Sequence, residues 1–78
     1  MRDKAGAIVA ILAENVKKGR KDAGLSQEEL AFRAGLDRTY ISQVERNKRN
    51  VTIEVLAKLA KALNVSPDQL LVPVKRTR

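Results

Sequence analysis

The side chains with the clearest chemistry lie in one polar stretch in the middle of the chain, residues 36–50. Arginine can donate two parallel hydrogen bonds to guanine, glutamine can pair with adenine in the same way, and a threonine methyl can pack on thymine. We therefore predict that the stretch reads bases in the major groove of DNA, through Arg38, Thr39, Ser42 and Gln43. A polar helix face that is merely solvated is the alternative, and the neighbouring sequence has to distinguish the two.

The polar stretch is predicted to form a short helix over residues 38–46. Asp37 suits the N-cap because its carboxylate can accept amide protons of the first turn. Leu36 and Ile41 have the spacing of a hydrophobic staple across the start of the helix. Ile41 and Val44 would form a narrow buried stripe, which leaves the polar side chains outside.

A second short helix is predicted just before it, over residues 27–34. Ser26 and Glu29 have the spacing of a capping box, and Gly35 suits the left-handed residue that ends a helix. The two helices would be joined by a three-residue turn that begins with this glycine. This arrangement predicts a helix-turn-helix.

Composition limits the classes of protein to consider. The chain has 78 residues, no cysteine, no histidine and a net charge of +7, which favour one domain over residues 1–78 with a polyanionic partner. Nucleic acid and an anionic membrane surface both fit the charge. The sequence offers no histidine, thiol, carboxylate cluster or glycine-rich phosphate loop, so we expect neither enzymatic activity nor a metal or cofactor.

The N-terminal segment predicts an amphipathic helix with Ile8, Leu12 and Val16 at i+4 spacing. Basic residues before its apolar run resemble a signal peptide, but the run is too short to span a bilayer and no clear cleavage site follows. We therefore expect a cytoplasmic protein without a membrane partner. Gly19 should make this helix bend or fray, and Gly24 should end it.

The rest of the chain predicts two further helices. Thr52 and Ser66 suit their N-caps, and Asn47 and Asn64 can take the left-handed conformation that closes the helices before them. The predicted fold is an all-α, compact five-helix domain with helices over residues 5–22, 27–34, 38–46, 53–63 and 67–71, followed by a mobile basic tail over 72–78.

Residues from about 16 to 71 resemble the lambda-repressor and Cro type of helix-turn-helix domain, also called the xenobiotic-response-element family. The resemblance is carried by two segments, GLSQEELA at 24–31 and LDRTYISQVER at 36–46. The second segment, with Arg49 and Asn50, is most similar to controller proteins of restriction-modification systems. The alternative is an antitoxin or phage-type repressor that acts partly through a protein partner. Asn47 departs from the family, which usually has glycine there, as does Gly19, where an aliphatic residue is common.

The resemblance implies a sequence-specific, double-stranded DNA-binding regulator of transcription that controls its own gene. It further implies a homodimer on a palindromic operator, with RNA polymerase as a further candidate partner. In such domains an ion pair joins the first helix to the recognition helix, and the matching positions are Arg20 and Glu45.

Two further sets of residues complete the expected interface. We expect contacts to DNA phosphates from Gln27, Tyr40, Arg46, Asn47, Lys48, Arg49 and Asn50. Tyr40 could instead pack, and the run over 46–50 could simply be solvated. Aliphatic residues near the C-terminus are candidates for the dimer interface, although each could equally line the core: Leu59, Leu63, Val65, Leu70 and Leu71.

Overall fold

Four α-helices and one 3-10 helix follow each other along the chain of this computed structural model. The structure describes the backbone of residues 4–74 and the side chains of residues 6–74, so residues 75–78 of the predicted tail lie outside it. The elements are α1 at Lys4–Asp22, α2 at Gln27–Ala34, α3 at Arg38–Glu45, α4 at Ile53–Leu63, and the 3-10 helix at Pro67–Leu71. The all-α prediction is confirmed, but the fifth predicted helix is a single 3-10 turn rather than an α-helix.

One hydrophobic core joins all five elements. Its most deeply buried large side chains come from each of the four α-helices and are Val16, Leu30, Ile41, Val44 and Leu59. Leu70 adds the 3-10 helix to the same cluster. Because α2 and α3 are short, their stability depends on this packing more than on helix propensity.

Every α-helix closes on a residue in the left-handed conformation. These residues are Gly24, Gly35, Asn47 and Asn64, with φ values between 60° and 73°. At each, its own amide donates to the carbonyl three residues back, and the next amide donates to the carbonyl five residues back, at 2.8 to 3.2 Å. This is the Schellman motif. The predicted helix ends are confirmed, and asparagine performs at Asn47 the role that glycine usually has in the family.

The helix starts match the sequence less uniformly. The capping box of α2 is present, with Glu29 N donating to Ser26 Oγ at 3.0 Å and Ser26 N donating to Glu29 Oε1 at 2.8 Å. Those hydrogen bonds, with the backbone one foremost, lower the pKa of Glu29. Asp37 occupies the N-cap of α3, but its side chain makes no capping bond, so that expectation is wrong. Leu36 packs against the core beside it, and this contact holds the start of α3.

α1 continues through Gly19 to Asp22, so the expected fraying does not occur. The glycine lies against α4, where an added Cβ would stand 3.4 Å from Leu63 Cδ1. Packing between α1 and α4 therefore supports the helix at the point where its propensity is weakest.

An amide side chain of α1 holds the end of the described chain. Asn15 Nδ2 donates to the carbonyl of Leu70 at 2.9 Å and to that of Val72 at 2.7 Å. The first residue of the predicted tail, Val72, is thus bonded to α1, and the mobility of the tail stays a prediction. None of the helices in the described chain has the length and hydropathy that crossing a membrane requires.

Candidate nucleic-acid interface

The outer face of α3 presents the predicted base-reading side chains. Ile41 and Val44 are 0% and 1% exposed, which fixes the opposite side of this helix toward solvent. Arg38 and Thr39 are exposed, while Ser42 and Gln43 are partly buried. Within residues 6–74, the side chains of Arg38, Thr39 and Gln43 form no hydrogen bond or ion pair, so their donors and acceptors remain available to a ligand.

A buried ion pair fixes α3 to α1. Arg20 Nε donates to Glu45 Oε2 at 2.6 Å and Arg20 Nη2 donates to Glu45 Oε1 at 3.1 Å, which is a bidentate arrangement. The two side chains are 12% and 3% exposed. The hydrogen bonds that Arg20 donates to the Glu45 carboxylate raise the pKa of Arg20. The pair that the family resemblance implies is therefore present in this chain.

The ion pair extends into a network that covers both ends of the helix-turn-helix. Arg20 Nη1 donates to the carbonyl of Leu25, just before α2, at 2.8 Å. Gln27 Nε2 donates to Glu45 Oε1 at 3.1 Å. This second contact could not be predicted from the sequence, because a glutamine that begins α2 has no periodic relation to a glutamate that ends α3. Gln27 keeps a second amide proton for the predicted phosphate contact.

The segment after α3 forms a continuous exposed run of predicted phosphate ligands: Arg46, Asn47, Lys48, Arg49 and Asn50. Left-handed Asn47 turns the chain at its start. The guanidinium carbon of Arg49 lies 4.5 Å from the centre of the Tyr40 ring, in cation–π contact. Tyr40 itself is half-buried and packs against the core, so of its two expected roles the packing role is present. Arg46 Nε makes a long contact of 3.4 Å to the carbonyl of Ser42.

The structure corrects most of the expected dimer interface. Leu59, Leu63 and Leu70 are 0%, 8% and 3% exposed, because a chain of this size uses them to fill its own core. They offer no surface to a partner. Val65 is partly buried against the core, whereas Leu71 is exposed.

Two exposed aliphatic residues were not among the residues predicted for the dimer interface. Ile8 and Ile53 lie with Leu71 in one groove between α1, the start of α4 and the end of the 3-10 helix. Their side chains are 50% and 82% exposed. Helical spacing alone would have placed Ile53 on the buried side of α4, because it lies three residues before buried Leu56 and seven before buried Ala60; it is exposed at the first residue of the helix.

Among the described residues, no group of three or more acidic, cysteine or histidine side chains could hold an ion.

Comparison with known proteins extends these observations. A profile of the helix-turn-helix family matches residues 16–70. Control protein C.SmaI of Serratia marcescens is 58% identical over 64 residues, which are 82% of this chain and 76% of that protein.

Solved structures with the same fold include restriction-modification controller proteins. C.AhdI of Aeromonas hydrophila superposes with a TM-score of 0.78 at 44% identity, over 82% of this chain and 97% of that one. The C.Esp1396I tetramer, in complex with its natural 35 base-pair operator, gives a TM-score of 0.75 at 43% identity, over 81% of this chain and 83% of that one.

Proposed function

The chain belongs to the helix-turn-helix family, and on that premise we propose that it is a sequence-specific DNA-binding regulator of transcription. The observation that carries the proposal is the outer face of α3, where polar side chains without partners stand on a helix that a buried ion pair holds in place. Rigid placement matters because hydrogen bonds to base edges depend on geometry. The likeness to controller proteins supports control of a restriction-modification locus, including the regulator's own gene. Such a protein acts on DNA in the cytoplasm and catalyses no reaction.

Within this function the described side chains divide into two groups. Arg38, Thr39 and Gln43 read base edges, with Ser42, partly buried like Gln43, as a fourth contact. The run over 46–50 neutralises phosphates beside the recognition helix, and Gln27 with the first amides of α2 binds a phosphate at the other side. The Arg49 guanidinium packs on the Tyr40 ring, so its side chain loses less conformational entropy when it binds a phosphate.

A homodimer on a palindromic operator completes the proposal. One recognition helix covers only a few base pairs, and two-fold symmetry doubles the number that are read. The groove around Ile8, Ile53 and Leu71 is the surface we assign to the second copy, since three exposed aliphatic side chains meet there. This surface also includes Asn50, the last residue of the phosphate run, and the two residues after it, Val51 and Thr52, so pairing there would set the two reading helices side by side. The related C.Esp1396I assembles as a tetramer on its operator.

Selection from a random duplex library tests the function directly. We expect the bound fraction to converge on an inverted repeat whose half-sites lie about 34 Å apart, one turn of the double helix. Convergence on a single asymmetric half-site would refute the dimer, but sequence-specific binding by α3 would stand. A bound fraction without any preferred sequence would refute specific recognition altogether.

Arg38→Ala then tests the reading face with the selected site. Loss of a bidentate contact to guanine should weaken binding to the cognate duplex by about 1 to 3 kcal/mol and flatten the preference at one base pair. Binding to a scrambled duplex should change much less, because it depends on phosphates. Affinities for both duplexes are measured at one salt concentration, and equal losses would make Arg38 a phosphate ligand instead.

A further inference from the structure

The most exposed large hydrophobic side chain of the described chain is an aromatic one that the proposed function does not use. Phe32, the only phenylalanine in the sequence, is 86% exposed on α2. Its neighbours Leu30, Ala31 and Ala34 supply the buried side of that helix. An exposed aromatic ring contributes nothing to the core, and rings of this kind are enriched among the residues that dominate protein interfaces.

Phe32 stands at the edge of a cationic groove between the end of α2 and the outer side of α4. The other residues that line this groove are Arg33, Ala34, Gly35, Lys58, Lys61 and Ala62. Three of the lining side chains are basic and none is acidic. Lys58 forms a long ion pair of 3.9 Å with Glu54, Arg33 interacts electrostatically with Glu29, and Lys61 forms no ion pair among the residues that the structure describes. The lining of the groove therefore carries net positive charge, and Lys61 is the lining cation that the described residues leave without an acidic partner.

The groove is separate from the proposed DNA-binding surface. None of its lining residues belongs to α3 or to the phosphate run over 46–50. Gln27, the proposed phosphate ligand of α2, is the first residue of that helix, whereas Phe32 and Arg33 lie in its last turns. A ligand in this groove and DNA on α3 would contact different residues.

The chemistry of the groove selects the class of ligand. DNA phosphates would satisfy the three cations but would leave the phenylalanine ring unused, because phosphates are contacted by charged and hydrogen-bonding groups and offer an apolar ring no complementary surface. A protein segment that carries carboxylates and one large apolar side chain would satisfy both features. We propose that this groove is a docking site for an acidic segment of another protein, which binds while the operator occupies α3. The second half of this statement rests on the proposed function, whereas the docking itself does not.

A synthetic acidic peptide is the probe for the first test. It contains aspartates and glutamates around a central leucine and phenylalanine, and its binding to the full chain is followed by fluorescence anisotropy. Phe32→Ala removes the ring and Lys61→Glu reverses one charge, and each should weaken binding at least about tenfold, as the loss of an interface anchor does. Both residues are exposed, so circular dichroism should show the parent's helix content.

Matched variants separate the groove from general attraction. Lys17→Glu makes the same charge change on an exposed residue of α1, and Val72→Ala trims an exposed aliphatic side chain elsewhere. Both should keep the parent's affinity for the peptide. An equal loss in Lys17→Glu would reduce the binding to net charge and overturn the proposal, and so would a parent that fails to bind the peptide.

Two further measurements exclude the other occupants. Sedimentation of Phe32→Ala should give the parent's association state, and its affinity for the selected duplex should be unchanged. A shift in association would assign the ring to a second copy, and a loss of duplex affinity would assign it to DNA; either result overturns the proposal. Peptide binding to the DNA-free chain is scored separately from binding to the operator complex. Failure to select any operator would therefore refute the proposed function without deciding the fate of the groove.

Discussion

Glu45 is the residue through which three parts of the chain meet. Its carboxylate accepts hydrogen bonds from Arg20 Nε, Arg20 Nη2 and Gln27 Nε2, and only 3% of the side chain is exposed. Burial of a carboxylate is tolerable when its charge is paired and its oxygens are satisfied. The ion pair therefore fixes the orientation of α3 relative to α1 as well as stabilising the fold, because the planar guanidinium of arginine binds a carboxylate in few orientations.

Glu45→Gln should destabilise the fold by about 3 kcal/mol, since it leaves the guanidinium of Arg20 nearly buried without its counter-charge. Urea unfolding followed by circular dichroism gives the free energy of unfolding. Glu28→Gln, which makes the same change on an exposed residue of α2, is the control and should be nearly neutral.

A double variant distinguishes a paired charge from simple loss of packing. Arg20→Met combined with Glu45→Leu removes both charges at similar volume, and it should unfold with a smaller loss than the sum of the two single changes. Additive losses would mean that the ion pair contributes no coupling.

At the scale of the element, Gly19 has a poor helix propensity for α1 but allows close packing against α4. Gly19→Ala should raise the free energy of unfolding by about 1 kcal/mol, because alanine has the better helix propensity and its methyl would make an ordinary contact with Leu63. Gly35→Ala is the matched control and should destabilise, because the left-handed φ of 70° strains any residue with a Cβ. Thermal and urea unfolding of both variants decide between the two environments. A destabilised Gly19→Ala would show that α1 and α4 are too close for one methyl.

The segment over 46–50 is an element of another kind, held by its ends and by one ring rather than by a helix. If Lys48 and Arg49 each neutralise a phosphate, replacing both with alanine should make the negative slope of log affinity against log salt shallower by about 2. Base preference should survive the change. The control replaces Lys17 and Lys21 of α1 with alanine. An equally large change of slope in this control would show that the effect comes from net charge.

The sequence predicted most features that depend on a few neighbouring residues. Glycine and asparagine tolerate the left-handed region and therefore indicate helix ends in the sequence. All four residues predicted on this basis close helices in the structure: Gly24, Gly35, Asn47 and Asn64. The outward face of α3 could also be placed, because Ile41 and Val44 fix the orientation of this helix by periodicity alone, whereas its base-reading role stays a prediction.

Features that depend on distant packing could not be predicted in this way. Leu70 and Leu71 are adjacent and chemically identical, yet the first is 3% and the second 39% exposed, because the single turn of 3-10 helix directs only one of them at α1 and α4. The bond from Gln27 to Glu45 spans 18 residues and leaves no local trace. For the same reason the expected dimer interface contained three residues that belong to the core.

At the scale of the whole molecule, these two leucines provide a test of assembly. Leu71→Glu should keep the fold and dissociate the dimer, because the new carboxylate would be buried without a partner on association. Leu70→Glu should instead unfold the chain, since its side chain already lies in the core. Sedimentation equilibrium and circular dichroism are measured on the parent and both variants. A parent that stays monomeric on its operator would refute the dimer, and a Leu71→Glu variant that still dimerises would move the interface away from this groove.

The side-chain amide of Asn15 links α1 to the far end of the described chain. Its two hydrogen bonds go to the carbonyls of Leu70 and Val72, which lie 55 and 57 residues further along the sequence. The 3-10 helix is too short to persist alone, so it exists only while α1 is folded and presents that amide. The beginning and the end of the described chain consequently belong to one cooperative unit, and neither can open in a partial unfolding event without releasing the other. Within residues 4–74, neither terminal element is therefore loosely attached, and proteases should meet this part of the chain either entirely native or entirely unfolded.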